Sequence, residues 1–211
     1  MNVALPILAH QPVGVSVVHD ERGLQSFRDP DCAAAVWNRD IPDGVSEWLA
    51  GLDADLLPTG RVVLPVAAVA DTFRHLCDIA KTPGGRARDW LIADVAHLAE
   101  AFAGLMKVRY VRLRVQAVTT NACRKFHVDA ITARLVCTYR GTGTQYGTSL
   151  ESSDPEEVQT TPTGAPILLR GSLWPTKVET GLLHRSPPIE GTGETRLVLV
   201  LDPVSDLGEA A

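Results

Sequence analysis

The run Leu197-Val198-Leu199-Val200-Leu201 constrains the fold more than any other stretch. Five consecutive apolar residues, leucine alternating with valine, read as a strand. Successive strand side chains point to opposite faces, so this one has to be covered on both sides. An opposing sheet can supply one cover, and a layer of helices the other. The first half of the chain contains the helices. Val45, Trp48, Leu49 and Leu52 fall at i, i+3, i+4 and i+7 and predict a helix over about 45–53. Val69, Phe73, Leu76 and Ala80 predict a second over about 67–81, between Pro65 and Thr82-Pro83-Gly84-Gly85. Leu91, Val95, Leu98, Phe102 and Leu105 predict a third over about 88–106, with Asp89 a candidate cap.

The periodicity changes at Lys107. From Arg109 to Asp202 the chain reads as strand and turn. Between Tyr110 and Thr119, Val111, Leu113, Val115 and Ala117 alternate with Arg112, Arg114 and Gln116. Further strands are expected at Ile131–Tyr139, Ile167–Arg170 and Leu182–His184. Short ones are also compatible with Val13–Val18, Cys32–Trp37 and Arg61–Leu64. Residues 151–166 are polar and proline-containing and read as a long exposed loop. Helices first, then many short strands, predict an α+β chain. Residues 1–211 are expected to form a single domain: 1–106 mainly a helical buttress, 107–202 the strand-rich core, and 203–211 a tail.

Composition narrows the function. The formal net charge of −5 argues against nucleic acid or an anionic membrane as the main partner. No apolar run approaches a membrane span. Met1–Val18 lacks a basic start and is interrupted by Pro6, His10 and Pro12, so it does not read as a signal peptide. A cytoplasmic protein is expected. Cys32, Cys77, Cys123 and Cys137 form no C-x-x-C pair and read as reduced, mostly buried thiols.

Chemistry concentrates in three segments: Phe126-His127-Val128-Asp129, Leu183-His184-Arg185 and Thr195-Arg196-Leu197. In extended backbone, His127 and Asp129 point to the same face and can converge. With His184 they make two imidazoles and one carboxylate, the facial ligand set of non-haem Fe(II) sites. Any one histidine alone is better read as a packed or solvated side chain, which is the reading for His75 and His97 on the helices. Order and spacing make the case here.

That order, with an arginine opening the last apolar strand, resembles the Fe(II)/2-oxoglutarate-dependent dioxygenase superfamily. The resemblance implies a double-stranded β-helix (jelly-roll) core over about 109–202, backed by the N-terminal helices. It implies an oxidoreductase with Fe(II) on His127, Asp129 and His184. Arg196 would hold the distal carboxylate of 2-oxoglutarate, with Arg196, Val198 and Val200 facing inward. Thr138 and Tyr139 could hydrogen-bond the cosubstrate, although packing is the favoured role for Tyr139. The prime substrate would be a small molecule or a protein side chain. A second resemblance covers Trp37-Asn38-Arg39, Arg134 to Thr144, Leu169 to Pro175 and His184-Arg185-Ser186-Pro187-Pro188. These are similar to an uncharacterised bacterial domain family of unknown function.

Other residues stay open between ligand contact and structure. Gly141, Gly143 and Thr144 fit a hairpin turn or a close approach to a ligand. Trp174-Pro175 and Tyr146 fit a pocket mouth or packing. A packed thiol is favoured for Cys123 over a zinc ligand. Arg185 is expected to point away from the side that His184 faces. Two alternatives to the oxygenase are a cupin-like Zn(II) protein without redox turnover and a non-enzymatic interaction module. A zinc site has no need of a carboxylate clamp, so Arg196 separates the first alternative from the oxygenase.

Overall fold

The computed structural model describes residues 11–150, 153–176 and 179–205 of the chain. Its elements run β1 (Val15–Val18), β2 (Ala34–Trp37), α1 (Asp43–Gly51), β3 (Gly60–Pro65), α2 (Val69–Ile79), α3 (Arg86–Met106), β4 (Tyr110–Val118), β5 (Ala133–Arg140), β6 (Gln145–Thr148), β7 (Gln159–Thr160), β8 (Ile167–Arg170), β9 (Leu182–Arg185) and β10 (Arg196–Val204). A wide sheet of seven strands has the order β1-β2-β8-β5-β10-β4-β3, and a small sheet has the order β7-β6-β9. All pairings are antiparallel except β1 with β2.

β10 is central and covered on both faces. Leu197, Leu199 and Leu201 join Leu113, Leu135, Leu91, Leu98 and Phe102 in a core between the wide sheet and the helices. Val198 and Val200 join Val136, Ile167 and Tyr146 in a second core, beneath the small sheet. The molecule is therefore three layers: helices, wide sheet, small sheet. This follows from alternation along one strand.

Several elements depart from the sequence reading. Residues 1–106 also contribute three strands, because the short apolar runs at β1, β2 and β3 extend both ends of the wide sheet. α3 starts after Gly85, at φ +129, and no side chain caps it; Asp89 sits in its first turn instead. β10 continues to Val204, past the expected end at 202. The 151–166 segment is not an exposed loop throughout. Gln159–Thr160 pair with β6, and Thr161 and Ala165 are buried. The N-terminal residues 1–10, the tail 206–211 and residues 151–152 lie outside the described residues.

Tyr139 shows how tightly the helices are tied to the sheet. It shares the helix-facing side with Leu135 and Cys137, not the side of Val136, which corrects its candidacy for cosubstrate contact. Its hydroxyl donates to Asp94 Oδ2 of α3 at 2.6 Å. Arg39 grips both oxygens of the same carboxylate at 2.6 and 2.7 Å. Arg39 also donates to Gly164 O at 3.0 Å and lies 4.8 Å from the centre of the Trp37 ring. The Trp37-Asn38-Arg39 motif is thus a structural clasp. Asp94→Ala would leave a half-buried guanidinium and a buried phenol without their acceptor, and is expected to cost about 3–5 kcal/mol. Urea unfolding checks this; a loss under about 1 kcal/mol would contradict the clasp.

Candidate functional site

His127 lies in no regular strand. It forms a single antiparallel bridge to His184 of β9. The two backbones exchange both hydrogen bonds, at 3.0 and 3.1 Å. Residues directly opposite in such a pair put their side chains on one face, and the two imidazole rings lie 4.5 Å apart, centre to centre. Tyr146 is opposite His184 on its other side and continues the row inward. It is therefore buried core, not pocket mouth.

Asp129, two residues on, reaches the same point. Its Oδ1 lies 3.5 Å from His127 Nε2, and its Oδ2 lies 3.1 Å from His184 Nε2. The donor atoms of the three side chains all fall within 4.8 Å of one another, a set that could hold a metal ion. His127 Nδ1 sits 2.8 Å from the Lys125 carbonyl. A carbonyl only accepts, so this bond puts a proton on Nδ1 and leaves Nε2 bare toward the cluster.

The surrounding motifs hold this segment in place. A Cβ on Gly171 would meet Ile131 O at 2.0 Å and Asp129 O at 2.7 Å, so only glycine lets the backbones touch there. Ser172 and Leu173 then donate to Asp129 O and Ile131 O at 2.9 and 3.1 Å. Ser186 N donates to Cys123 O at 2.9 Å. The Leu169–Pro175 and His184–Pro188 motifs are read as backbone clamps. Trp174 packs on Phe27 and Arg170 rather than at a pocket mouth. Cys123 is exposed on the cleft rim, against the expectation of a packed thiol.

Arg134, an ordinary strand arginine by sequence, is central. It donates to both oxygens of Asp202 at 2.7 and 2.9 Å, and its Nη1 lies 2.8 Å from Asp129 Oδ1. Burial alone would raise the Asp129 carboxyl. The His184 hydrogen bond and the charge of Arg134 outweigh it and hold the group down at about 2. Burial also places His184 below the usual imidazole range, partly offset by Asp129. An ionised, half-buried carboxylate beside a neutral imidazole is the protonation pattern that suits a divalent metal.

The cleft at the cluster has a volume of about 150 Å³ and is floored by β10 and β4. Arg196, Val198 and Val200 line it, the alternation expected from the sequence. Arg196 is 1% exposed. Its Nε donates to Thr142 O at 2.6 Å and its Nη2 to Thr138 Oγ1 at 3.2 Å. Thr138 thus touches Arg196 and does not line the cleft itself. Gly141, at φ +81, lets the turn close, because a Cβ there would lie 2.9 Å from Arg196 Cγ. Glu194 bonds Thr142 N and Oγ1. Among the described residues no carboxylate forms an ion pair with Arg196, and burial, partly offset by the charge of Glu194, pulls its pKa down to about 10. Arg185 also lines the cleft, against the expectation that it points away: its Nε donates to Gln145 Oε1 at 2.8 Å and its guanidinium lies 4.3 Å from the centre of the Phe126 ring.

The fold and this cluster define a class: a helix-backed, two-sheet protein with a histidine–carboxylate site at one end of the small sheet. The chain belongs to the family described as "Protein of unknown function (DUF1826)", which matches residues 19–202. No curated protein matches it. Among solved structures, dioxygenase for auxin oxidation 1 from Arabidopsis thaliana, in a 2-oxoglutarate binary complex, is similar over 93% of this chain and 94% of its own. The identity is 8% and the TM-score 0.50, a likeness of fold. The rice dioxygenase for auxin oxidation aligns over 92% and 84%, at 11% identity and TM-score 0.49. A Pseudomonas putida prolyl-4-hydroxylase aligns over 88% and 98%, at 11% identity and TM-score 0.46. No helix among the described residues is long and apolar enough to cross a membrane.

Removing Arg134 would take from Asp129 and Asp202 the guanidinium that both bind. Arg134→Met is expected to cost about 3 kcal/mol, and adding Asp202→Asn to recover at least about 1 kcal/mol of it. Denaturant unfolding of the single and double variants reads this; strictly additive losses would contradict the bridge.

Proposed function

We propose that the chain is an Fe(II)/2-oxoglutarate-dependent oxygenase with a double-stranded β-helix core and a 2-His-1-carboxylate centre. His127, Asp129 and His184 would hold the metal. The observation that carries the reading is Arg196: a buried guanidinium, without a carboxylate partner among the described residues, on the floor of the same cleft as the cluster. A buried unpaired charge is costly, and a bound carboxylate removes the cost. Planar, two-point recognition of a carboxylate is what a guanidinium does best. A zinc site without a cosubstrate leaves Arg196 unexplained.

The residue types fit the group. One imidazole has its Nε2 freed by the Lys125 carbonyl, the other is kept neutral by burial, and the carboxylate is ionised. Three protein ligands leave coordination positions for a 2-oxo acid and for O2. When bound, the iron would supply the redox chemistry: 2-oxoglutarate, O2 and a C–H substrate give succinate, CO2 and the hydroxylated product. The chain's own residues bind and orient. Arg196 holds the distal carboxylate, Thr142 O and Thr138 Oγ1 fix the arginine, and Val198 and Val200 keep the floor dry. The Arg134–Asp129 pair keeps the carboxylate ligand ionised and aimed.

Wild type is expected to bind one Fe(II) per chain and to release succinate in air. His127→Ala and His184→Ala are expected to lose metal affinity by at least about tenfold. Arg196→Gln is expected to keep the metal and lose 2-oxoglutarate affinity by about 10–100-fold. Metal analysis and calorimetric titration check these. Unchanged metal content in both histidine variants, or unchanged 2-oxoglutarate affinity in Arg196→Gln, would overturn the proposal.

A further inference from the structure

The cleft holds a guanidinium that none of the roles above absorbs. Arg114 lies on β4, directly opposite Val200 of β10, and lines the cleft beside Gln116. Its neighbours Leu113 and Val115 belong to the helix-side core, so alternation turns Arg114 to the cleft side. Its Nε is buried and has no hydrogen-bond partner. The two carboxylates nearby, Asp129 and Asp202, are both taken by Arg134. Across the other edge of β4, the residue directly opposite Arg114 is Arg61 of β3. Like charges in directly opposed strand positions are unfavourable, and here no acid among the described residues forms an ion pair with either, Asp202 acting on Arg114 only from a distance. An anion entering the cleft would relieve the arrangement.

Arg114 is not a second grip on the cosubstrate. In the β4–β10 register Arg196 is opposite Val118 and Val200 is opposite Arg114. Four residues of strand separate the two positions, about 13 Å at ~3.3 Å per residue. Val198 lies between them, and Val200 lies beside Arg114. One guanidinium serves each end of the cleft, on either side of this apolar floor.

Resting on the oxygenase reading, we propose that Arg114, with Arg61 behind it, receives a negatively charged oxyanion group of a small prime substrate. The group would be a carboxylate or a phosphate monoester. Two parallel N–H donors match either one, and Gln116 can donate alongside. The substrate's charge would then be fixed at the Arg114 end, with its uncharged portion turned toward the metal ligands.

The test is equilibrium dialysis of the protein, loaded with Mn(II) and saturated with 2-oxoglutarate, against an equimolar set of small compounds. The set holds carboxylates, phosphate monoesters and their uncharged amide and alcohol counterparts, read by mass spectrometry. A parallel run omits metal and 2-oxoglutarate, so Arg114 is read whether or not the cosubstrate reading survives. Anions are expected to be retained at least about tenfold over their neutral counterparts in both runs. Carboxylate or phosphate preference then identifies the group. Arg114→Gln is expected to lose that retention by at least about tenfold and Arg114→Lys by less, both keeping 2-oxoglutarate affinity within about twofold. Removing a charge opposed by Arg61 should leave thermal stability equal or higher, which separates recognition from a structural role. Equal retention of neutral compounds, retention of none, or unchanged retention by Arg114→Gln would overturn the proposal. So would a loss of 2-oxoglutarate binding in Arg114→Gln as large as that of Arg196→Gln, which would reassign Arg114 to the cosubstrate.

Discussion

The burial of β10 on both faces is the constraint from which the rest of the structure follows. Its leucines need the helices and its valines need the small sheet. Burying three leucine side chains is worth about 1.5–3 kcal/mol each. That anchors the strand firmly enough to carry a charged residue at its buried start. Arg196 sits on the valine side by parity alone. The same alternation therefore sets the helix-side core and places a guanidinium in the cleft.

The small sheet completes the site by a different device. His127 and His184 are brought together by one hydrogen-bonded pair of backbones, and Asp129 by the two-residue period of extended chain. The neighbouring motifs fix that backbone by close contact, most of all at Gly171. The electrostatic balance of the cleft is uneven. Arg134 consumes both nearby carboxylates, so Asp129 stays ionised while Arg114 and Arg196 keep their charge without an ion-paired carboxylate among the described residues. A cleft built this way favours anions.

Much of this was legible in the sequence because it follows from periodicity. The three helices, the two-faced strand and the inward set Arg196, Val198 and Val200 all come from the 3.6- and 2-residue repeats. His127, Asp129 and His184 were legible from residue type and spacing, since extended backbone brings i and i+2 to one face. What lay hidden depends on long-range register. Arg134 reads as an ordinary strand arginine until β5 and β10 are aligned and Asp202 appears beside it. Tyr139 adjoins Thr138, but parity sends it to the helices, where Asp94 waits. The strand β7 within 151–166 is two residues long, too short for any repeat to reveal. The wide sheet's β1, β2 and β3 were visible as short apolar runs, but not as its edges.

The central claim is that one cleft holds a divalent metal at the histidine–aspartate cluster and a 2-oxo dicarboxylate against Arg196. Anaerobic titration of the Fe(II)-loaded protein with 2-oxoglutarate tests it most directly, by the visible metal-to-ligand charge-transfer band of a chelated 2-oxo acid. The expected result is a saturable band at one equivalent of iron, absent in His184→Ala and requiring far more 2-oxoglutarate in Arg196→Gln. A wild-type protein that binds iron but develops no band at saturating 2-oxoglutarate would contradict it.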